Sequence, residues 1–588
     1  MKDFFKFMFA SMLGFFLSSI ILFLLFLGFV MAIVSFTQNE EVVVNESSFL
    51  HIKLDYTVED RSSNDPLADF TSLGSLKITP GLNEILKSIE KAKNDDRIKG
   101  IYLDLGGIPS GLATISEIRI ALDDFSKTGK PIYSYSNILS QKAYYLASVS
   151  DKIFLNPEGF IEFKGYNAQG FFIKNLLEKL EIEPQVIRHG KFKSAVEPLL
   201  RTDMSEPNKE QTLKFINSMW DNSLDNISGS RNITIKNLNL IADSLQTQNA
   251  AQALSLHLVD SLVYYDEFLN FISNKIDVEN IKKKNLISLG KYTDAKVKPT
   301  KKRSKNKIAI VYASGDIVQG EGANDNIGSD KIARAIRSAR IDESIKAVVL
   351  RVNSPGGDAL ASDIILREVN LTKNEKPIVV SLGNLAASGG YYIACGADKI
   401  FASPSTITGS IGVFGIIPNF EKFFNNKLGI TFDGVKTNEN SDFMSTTKPL
   451  SKFQHDLIQI EIERIYSTFI GHVAKGRNMT TEEVDKIGQG RVWSGSDALE
   501  IGLIDGFGGL DKAIMEAKEL ANLEDYRIVE LPKQKEPIEQ IMDDLLGKTR
   551  IKILQSELGG NYKFYQFYKK VEDMNGIQAR LPFEIEIN

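Results

Sequence analysis

The pattern of apolar and polar positions divides the chain into three kinds of stretch. From Phe7 to Phe36 runs an apolar segment of 30 residues without a charge. Roughly 20 apolar residues span a bilayer, and a signal-peptide core has only about 7–15. Lys2 and Lys6 precede the segment, while Gln38, Asn39, Glu40 and Glu41 follow it. Ala32-Ile33-Val34 offers a poor cleavage site, so the pattern predicts a single signal anchor with its N-terminus in the cytoplasm and the remainder outside. The second kind of stretch is a series of short β-branched runs, Ile308–Tyr312, Ala347–Val352 and Ile378–Leu382, which suit buried strands. Between them, Asp330–Ala339 and Leu360–Val369 carry helical spacing. Such alternation predicts an α/β fold with a mostly parallel sheet flanked by helices. The third kind, residues 291–307, is polar and rich in lysine, and reads as a basic, solvated linker.

The pattern occurs twice. Ile98–Leu103 is answered by Ile345–Leu350, and Lys130-Pro131-Ile132 by Lys376-Pro377-Ile378. YYLASVSDKIF from Tyr144 is answered by YYIACGADKIF from Tyr391, and Leu258-Val259-Asp260 by Leu503-Ile504-Asp505. Four matches in the same order, at offsets of 245 to 247 residues, define a tandem duplication. The expected divisions are residues 1–40 (stub and anchor), 41–290 (first repeat), 291–307 (linker), 308–525 (second repeat) and 526–588 (an extension with no assignable motif).

Composition adds limits rather than direction. A formal net charge of −5 over 588 residues gives no reason to expect nucleic acid. With one cysteine, Cys395, no intramolecular disulfide forms. Five histidines lack HxxxH spacing and no CxxC occurs, so no metal is expected. Without a GxxxxGK[ST] loop, neither ATP nor another cofactor is expected.

Candidate chemistry sits in two glycine-bearing segments of the second repeat. Asn353-Ser354-Pro355-Gly356-Gly357-Asp358 follows a predicted strand, where paired glycines let backbone N–H groups approach a ligand. Ala386-Ala387-Ser388-Gly389-Gly390-Tyr391 places a serine among small residues at a strand-to-helix junction. That setting suits a nucleophile with an accessible hydroxyl. Together they supply a candidate nucleophile, Ser388, and a candidate oxyanion hole from the Gly389 N–H plus an N–H of Gly356 or Gly357. As plain structure, both segments would be ordinary turns.

A serine needs a base, and no histidine lies near these motifs in sequence. Here the duplication is informative. The first repeat has Gln141 where Ser388 stands, but carries Lys191 and Lys193 in HGKFKSAVEPLL. The second repeat has Ser441 or a neighbour where Lys193 aligns. One repeat holds a serine without a lysine and the other a lysine without a serine. Lys193 is therefore the candidate base, with Lys191 and His189 as competitors. A lysine base must be neutral, which requires apolar surroundings; Phe192, Ala195, Val196, Leu199 and Leu200 are the neighbours available.

NSPGG, AASGGYY, TGSIGVFG and GKFKSAVEP resemble the signal peptide peptidase A family in its long, duplicated form, from the anchor to about residue 520. The resemblance implies a ClpP/crotonase-like fold in each repeat and a Ser/Lys dyad shared between them, Ser388 as nucleophile and Lys193 as base. It implies that Ser410 orients the lysine amine. It further implies a homotetramer in a bacterial cytoplasmic membrane, acting on hydrophobic peptides such as signal-peptide remnants. Two rival readings use the same fold: an acyl-CoA hydratase or isomerase, which needs no nucleophilic serine, and a catalytically inactive membrane scaffold that binds peptides.

Overall fold

The computed structural model describes residues 2–37, 42–62, 79–276, 278, 285–296, 304–323, 325–534, 576–580 and 586–587. Part of the basic linker and most of the C-terminal extension lie outside the described residues.

The apolar N-terminal segment is one helix, Lys2–Thr37. Its stretch Asp3–Leu25 is long and apolar enough to cross a membrane, and none of it is buried among the described residues. Phe7, Phe15 and Leu22 are among its exposed side chains.

Each repeat is built on its own sheet. In the first, the strands lie in the order Ser261–Leu262, Lys152–Ile161, Ile132–Leu139, Ile98–Asp104, Ser48–Lys53, Leu286–Ser288, all parallel. In the second the order is Val492–Ser494, Ile407–Gly409, Ile378–Ala387, Ile345–Ser354, Lys307–Ser314, Arg527–Leu531. Only its pairing of Ile407–Gly409 with Val492–Ser494 is antiparallel. The three runs read as buried strands are the cores of Lys307–Ser314, Ile345–Ser354 and Ile378–Ala387. The two helical spacings are Ser329–Ile341 and Ala359–Lys373.

Both faces of each sheet are covered, as parallel sheets require. In the second repeat Ile308, Ile310, Ala347 and Val349 pack beneath Leu510, Ala513 and Ile514 of the helix Leu510–Leu520. In the first, Phe49, Tyr102, Tyr133 and Phe154 pack beneath Phe268 and Ile272 of the matching helix Tyr265–Lys275. The opposite faces join the two main cores. Complete burial of one such Ile or Leu contributes about 1.5–3 kcal/mol.

Many contacts join the repeats, among them the following three. First, Glu183–Arg188 of the first repeat pairs antiparallel with Phe414–Asn419 of the second, from Arg188 opposite Phe414 to Glu183 opposite Asn419. Second, the first repeat's helix Glu206–Arg231 reaches Val492–Ser494, where Ser218 and Ser494 hydroxyls lie 2.8 Å apart. Third, the fully buried Arg351 donates to Asp60 Oδ1 and to Glu117 Oε1, both at 2.8 Å and both from the first repeat. These two carboxylates hold the guanidinium firmly protonated against the cost of burial.

Candidate active site

The strand Ile378–Ala387 delivers Ser388 to the start of the short helix Gly389–Ala394. Ser388 adopts φ +56° and ψ −115°, a sparsely populated conformation for a side-chain-bearing residue. Neighbouring bonds hold it there. Its N–H donates to the Gly409 carbonyl at 2.8 Å, and its carbonyl accepts the Tyr392 N–H at 2.8 Å. The helix is pinned in turn by Tyr391, whose hydroxyl donates to the Leu503 carbonyl at 2.7 Å. Small residues are required here: a Cβ at Gly390 would lie 2.7 Å from the Ser354 carbonyl oxygen. The sequence reading of an accessible hydroxyl needs correction, because Ser388 is fully buried.

Lys193 arrives from the first repeat. It follows the cross-repeat strand Glu183–Arg188 and immediately precedes the tight turn Ser194–Val196. Its Nζ lies 2.8 Å from Ser388 Oγ, and donates to Ser410 Oγ and to the Ser410 carbonyl, each at 3.1 Å. The side chain is fully buried, and no carboxylate is bonded to the amine among the described residues. Burial therefore holds its pKa well below the ordinary lysine value of 10.5. Val196 and Leu199 pack with Phe414 and Ile416 beside it. Leu200, counted among the apolar neighbours in sequence, is instead exposed.

A neutral amine 2.8 Å from a hydroxyl can accept its proton. Ser410, at φ +49°, has its N–H bonded to the Arg491 carbonyl at 2.6 Å, which fixes where its hydroxyl and carbonyl meet the amine.

Gly356 and Gly357 form the short strand Gly356–Asp358 beside this group. Gly356 has φ +100°, and a Cβ there would lie 2.7 Å from the Gly389 nitrogen, so only glycine permits the approach. Its N–H, however, is bonded to Ser354 Oγ at 3.1 Å. Of the three oxyanion glycines read from the sequence, Gly356 has its N–H taken by Ser354, Gly357 follows it in the same strand, and Gly389 opens the helix after Ser388.

The competitors fall elsewhere. Lys191 is exposed, with its amine over the Phe192 ring. His189 pairs its Nδ1 with Glu463 at 2.7 Å and stacks on Tyr466. Gln141 fills the first repeat's equivalent position, where its amide oxygen accepts the N–H groups of Lys164 and Gly165 at 2.8 and 2.9 Å. Ser441 is exposed and bonds only locally, to the Asn438 carbonyl.

Two supporting residues escaped the sequence reading. Gly490, at φ +79°, lets the chain pass the lysine: a Cβ there would lie 2.6 Å from Lys193 Cβ. Gln211 bridges the repeats, donating to Ser194 Oγ at 2.9 Å and the Phe192 carbonyl at 3.2 Å while accepting the Val492 N–H at 3.1 Å. The signal available for Gly490 was the short Gly488-Gln489-Gly490 run, which reads as a turn until its neighbour is known.

Comparison with known proteins assigns the chain to a family. The sequence pattern of Peptidase family S49 matches twice, over residues 124–279 and 370–524, once in each repeat. Protease 4 of Haemophilus influenzae is 37% identical over 526 residues, covering 86% of this chain and 85% of its own. Protease 4 of Salmonella typhi is 38% identical over 478 residues, covering 80% and 76%. The chloroplastic serine protease SPPA of Arabidopsis thaliana is 32% identical over 509 residues, covering 85% and 74%. Among solved structures, a point mutant of ClpP1 from Listeria monocytogenes aligns with 35% of this chain and 94% of its own, at 15% identity and a TM-score of 0.24. The chain belongs to peptidase family S49, as a duplicated serine protease of the SppA type.

Proposed function

We propose that this S49 protease is a membrane-anchored endopeptidase that cuts hydrophobic peptides, signal-peptide remnants among them, with a dyad of Ser388 and Lys193 drawn from the two repeats. The observation that carries the reading is the buried amine of Lys193, 2.8 Å from Ser388 Oγ with no acidic partner bonded to it among the described residues. In the first step Ser388 Oγ attacks the substrate carbonyl carbon and passes its proton to Lys193. The N–H groups of Gly389 and Gly357 stabilise the oxyanion. Lys193 then protonates the leaving amine, and water, deprotonated by the same amine, hydrolyses the acyl-enzyme. Ser410 keeps the amine aimed through the cycle.

The facing edges of Gly356–Asp358 and Phe414–Asn419 favour a substrate bound as an added strand. Phe414 and Ile416 favour apolar residues in it. The helix Lys2–Thr37 supports a single-pass anchor with Lys2 and Lys6 on the cytoplasmic side. Exposed apolar residues of the second repeat, including Ile430, Phe432, Phe453 and Ile460, support association of copies, as in a homotetramer.

The test is covalent labelling together with turnover. Detergent-solubilised full-length chain should hydrolyse a hydrophobic peptide without ATP, and a fluorophosphonate should label Ser388. Labelling confined to another serine would contradict the reading, as would hydrolysis that survives Ser388→Ala.

A further inference from the structure

Residues 488–491 of the second repeat form a turn against which both Lys193 and Ser410 rest. The Gln489 carbonyl accepts the Phe192 N–H at 2.9 Å, and the Arg491 carbonyl accepts the Ser410 N–H at 2.6 Å. Gly490 donates its N–H to the Ile411 carbonyl at 2.8 Å. A Cβ added at Gly412 would lie 2.8 Å from Gly490 Cα and 3.2 Å from Lys193 Cδ, so the turn and the lysine stem share one narrow space. Gln489 and Gly490 are consecutive left-handed residues, at φ +55° and +79°. A glutamine stays in that sparsely populated region only where its surroundings fix it.

Those surroundings are a closed set of hydrogen bonds centred on Tyr466. The tyrosine comes from the helix Lys452–Arg477 and is 3% exposed. Its hydroxyl donates to Asp485 Oδ1 at 2.6 Å and accepts the Gln489 N–H at 3.2 Å. The same Asp485 oxygen accepts the Gln489 side-chain N–H at 2.6 Å. Burial, and then the bond to Asp485, hold the phenol pKa above its ordinary value, so Tyr466 remains a donor. Its ring meets the first repeat. His189, four residues before Lys193, stacks on it at 3.8 Å between ring centroids and pairs Nδ1 with Glu463 of the same helix at 2.7 Å. One tyrosine therefore holds the turn through its hydroxyl and the lysine-bearing segment through its ring.

We propose that Tyr466 is a positioning residue for the dyad: it fixes the turn Gly488–Arg491, and through it the place of the Lys193 amine and the Ser410 hydroxyl. The proposal rests on Lys193 being the base. Tyr466 does not touch the reacting atoms. Its loss acts by letting Gln489 leave the left-handed region, which withdraws the carbonyl from Phe192 and opens the space beside the lysine stem. Asp485 shares the role, because it holds both the tyrosine hydroxyl and the Gln489 amide.

The test compares full-length variants in detergent by peptide turnover, by the pH dependence of fluorophosphonate labelling of Ser388, and by denaturant melting. Tyr466→Phe keeps the ring on His189 and removes only the hydroxyl. Its kcat should fall about tenfold or more with KM within about twofold of wild type, since a misplaced group acts on the chemical step. Its labelling midpoint should move up toward the ordinary lysine pKa, because a loosened turn admits water to the amine. Asp485→Ala should behave likewise, whereas Asp485→Asn still accepts both bonds and should lose far less. Tyr144→Phe removes a comparable buried bond in the first repeat, to the Leu258 carbonyl at 3.0 Å. It should lower the melting midpoint without changing kcat or the labelling midpoint. Wild-type kcat and labelling midpoint in Tyr466→Phe would overturn the positioning role. So would an equal loss of kcat in Tyr144→Phe, because destabilisation alone would then account for both. Should Tyr466→Phe not fold, equal turnover by Asp485→Ala and Asp485→Asn would overturn it instead. If Lys193→Arg labels and turns over as wild type does, the base assignment fails and the positioning role with it. A slow Lys193→Arg beside an unaffected Tyr466→Phe would overturn the positioning role alone.

Discussion

The two repeats keep one scaffold and diverge at the chemistry. Tyr144 and Tyr391 each donate a hydroxyl hydrogen bond to a matching carbonyl, of Leu258 and of Leu503. Asp260 and Asp505 each accept a strand N–H, from Ile153 and from Ile400, and each pairs with an arginine, Arg231 and Arg477. Lys130 and Lys376 each donate to three backbone carbonyls. Against this shared background, the helix start that presents Ser388 in the second repeat presents Gln141 in the first, where its amide ties down a loop. The strand position that holds Arg351, buried between two carboxylates, holds in the first repeat Asp104, paired with His51 in a partly exposed bond. The serine and the lysine that meet at 2.8 Å come one from each repeat.

That comparison can be broken most sharply at the serine. Ser388→Ala should lower peptide hydrolysis by about 10⁴ or more. Adding Gln141→Ser should restore nothing, because the Lys193 amine is bonded to Ser388 and Ser410 in the other repeat. Recovery of turnover in the double variant would show that the first repeat retains a site.

Next in size is the clamp between the repeats. Arg351→Met leaves Asp60 and Glu117 buried without their cation, and breaking such a pair costs about 3–5 kcal/mol. Denaturant melting should show the loss, and Asp104→Asn in the first repeat should shift the midpoint far less. Equal effects would mean that the buried trio does not join the repeats.

Smaller effects probe how the lysine is placed. Gly490→Ala puts a methyl group into contact with Lys193 and forces an alanine to φ +79°. Displacing the amine by a fraction of an ångström should cost about 10²-fold in kcat, with KM nearly unchanged. Ser410→Ala removes one hydrogen bond from the amine and leaves the Ser410 carbonyl in place at 3.1 Å. At about 0.5–1.5 kcal/mol per bond, activity should fall roughly 3- to 10-fold. A larger loss than that of Gly490→Ala would reverse the ranking of orientation and position.

Much of this was legible in the sequence because it is written in local pattern. The β-branched runs and helical spacing gave the alternation of strands and helices, and the offset of 245 to 247 residues gave the duplication. Ser388 and Lys193 emerged as a pair because each lacks its complement in its own repeat. What stayed hidden depends on which distant segments meet. Nothing in Glu183–Arg188 says that it pairs with Phe414–Asn419, more than two hundred residues away. Gly490 looks like any turn glycine until Lys193 is beside it. Arg351 lies in an apolar run and finds its partners, Asp60 and Glu117, only across the repeat boundary. The five residues of Gly576–Arg580 are too short for a periodic signal, and the strands they pair with, Gly356–Asp358 and Phe414–Asn419, are distant segments.

The central claim is that Lys193 of one repeat is the neutral base for Ser388 of the other. The most direct measurement is the rate of fluorophosphonate labelling of Ser388 as a function of pH, in full-length wild type and in Lys193→Arg. Only the unprotonated amine can take the serine proton, and burial lowers its pKa from 10.5. Labelling of wild type should therefore rise with pH through a midpoint well below that value and level off above it. Lys193→Arg, whose guanidinium stays protonated, should show no such rise and label at least about 10³-fold more slowly at the plateau. A pH-independent rate in wild type, or ready labelling of Lys193→Arg, would contradict the account.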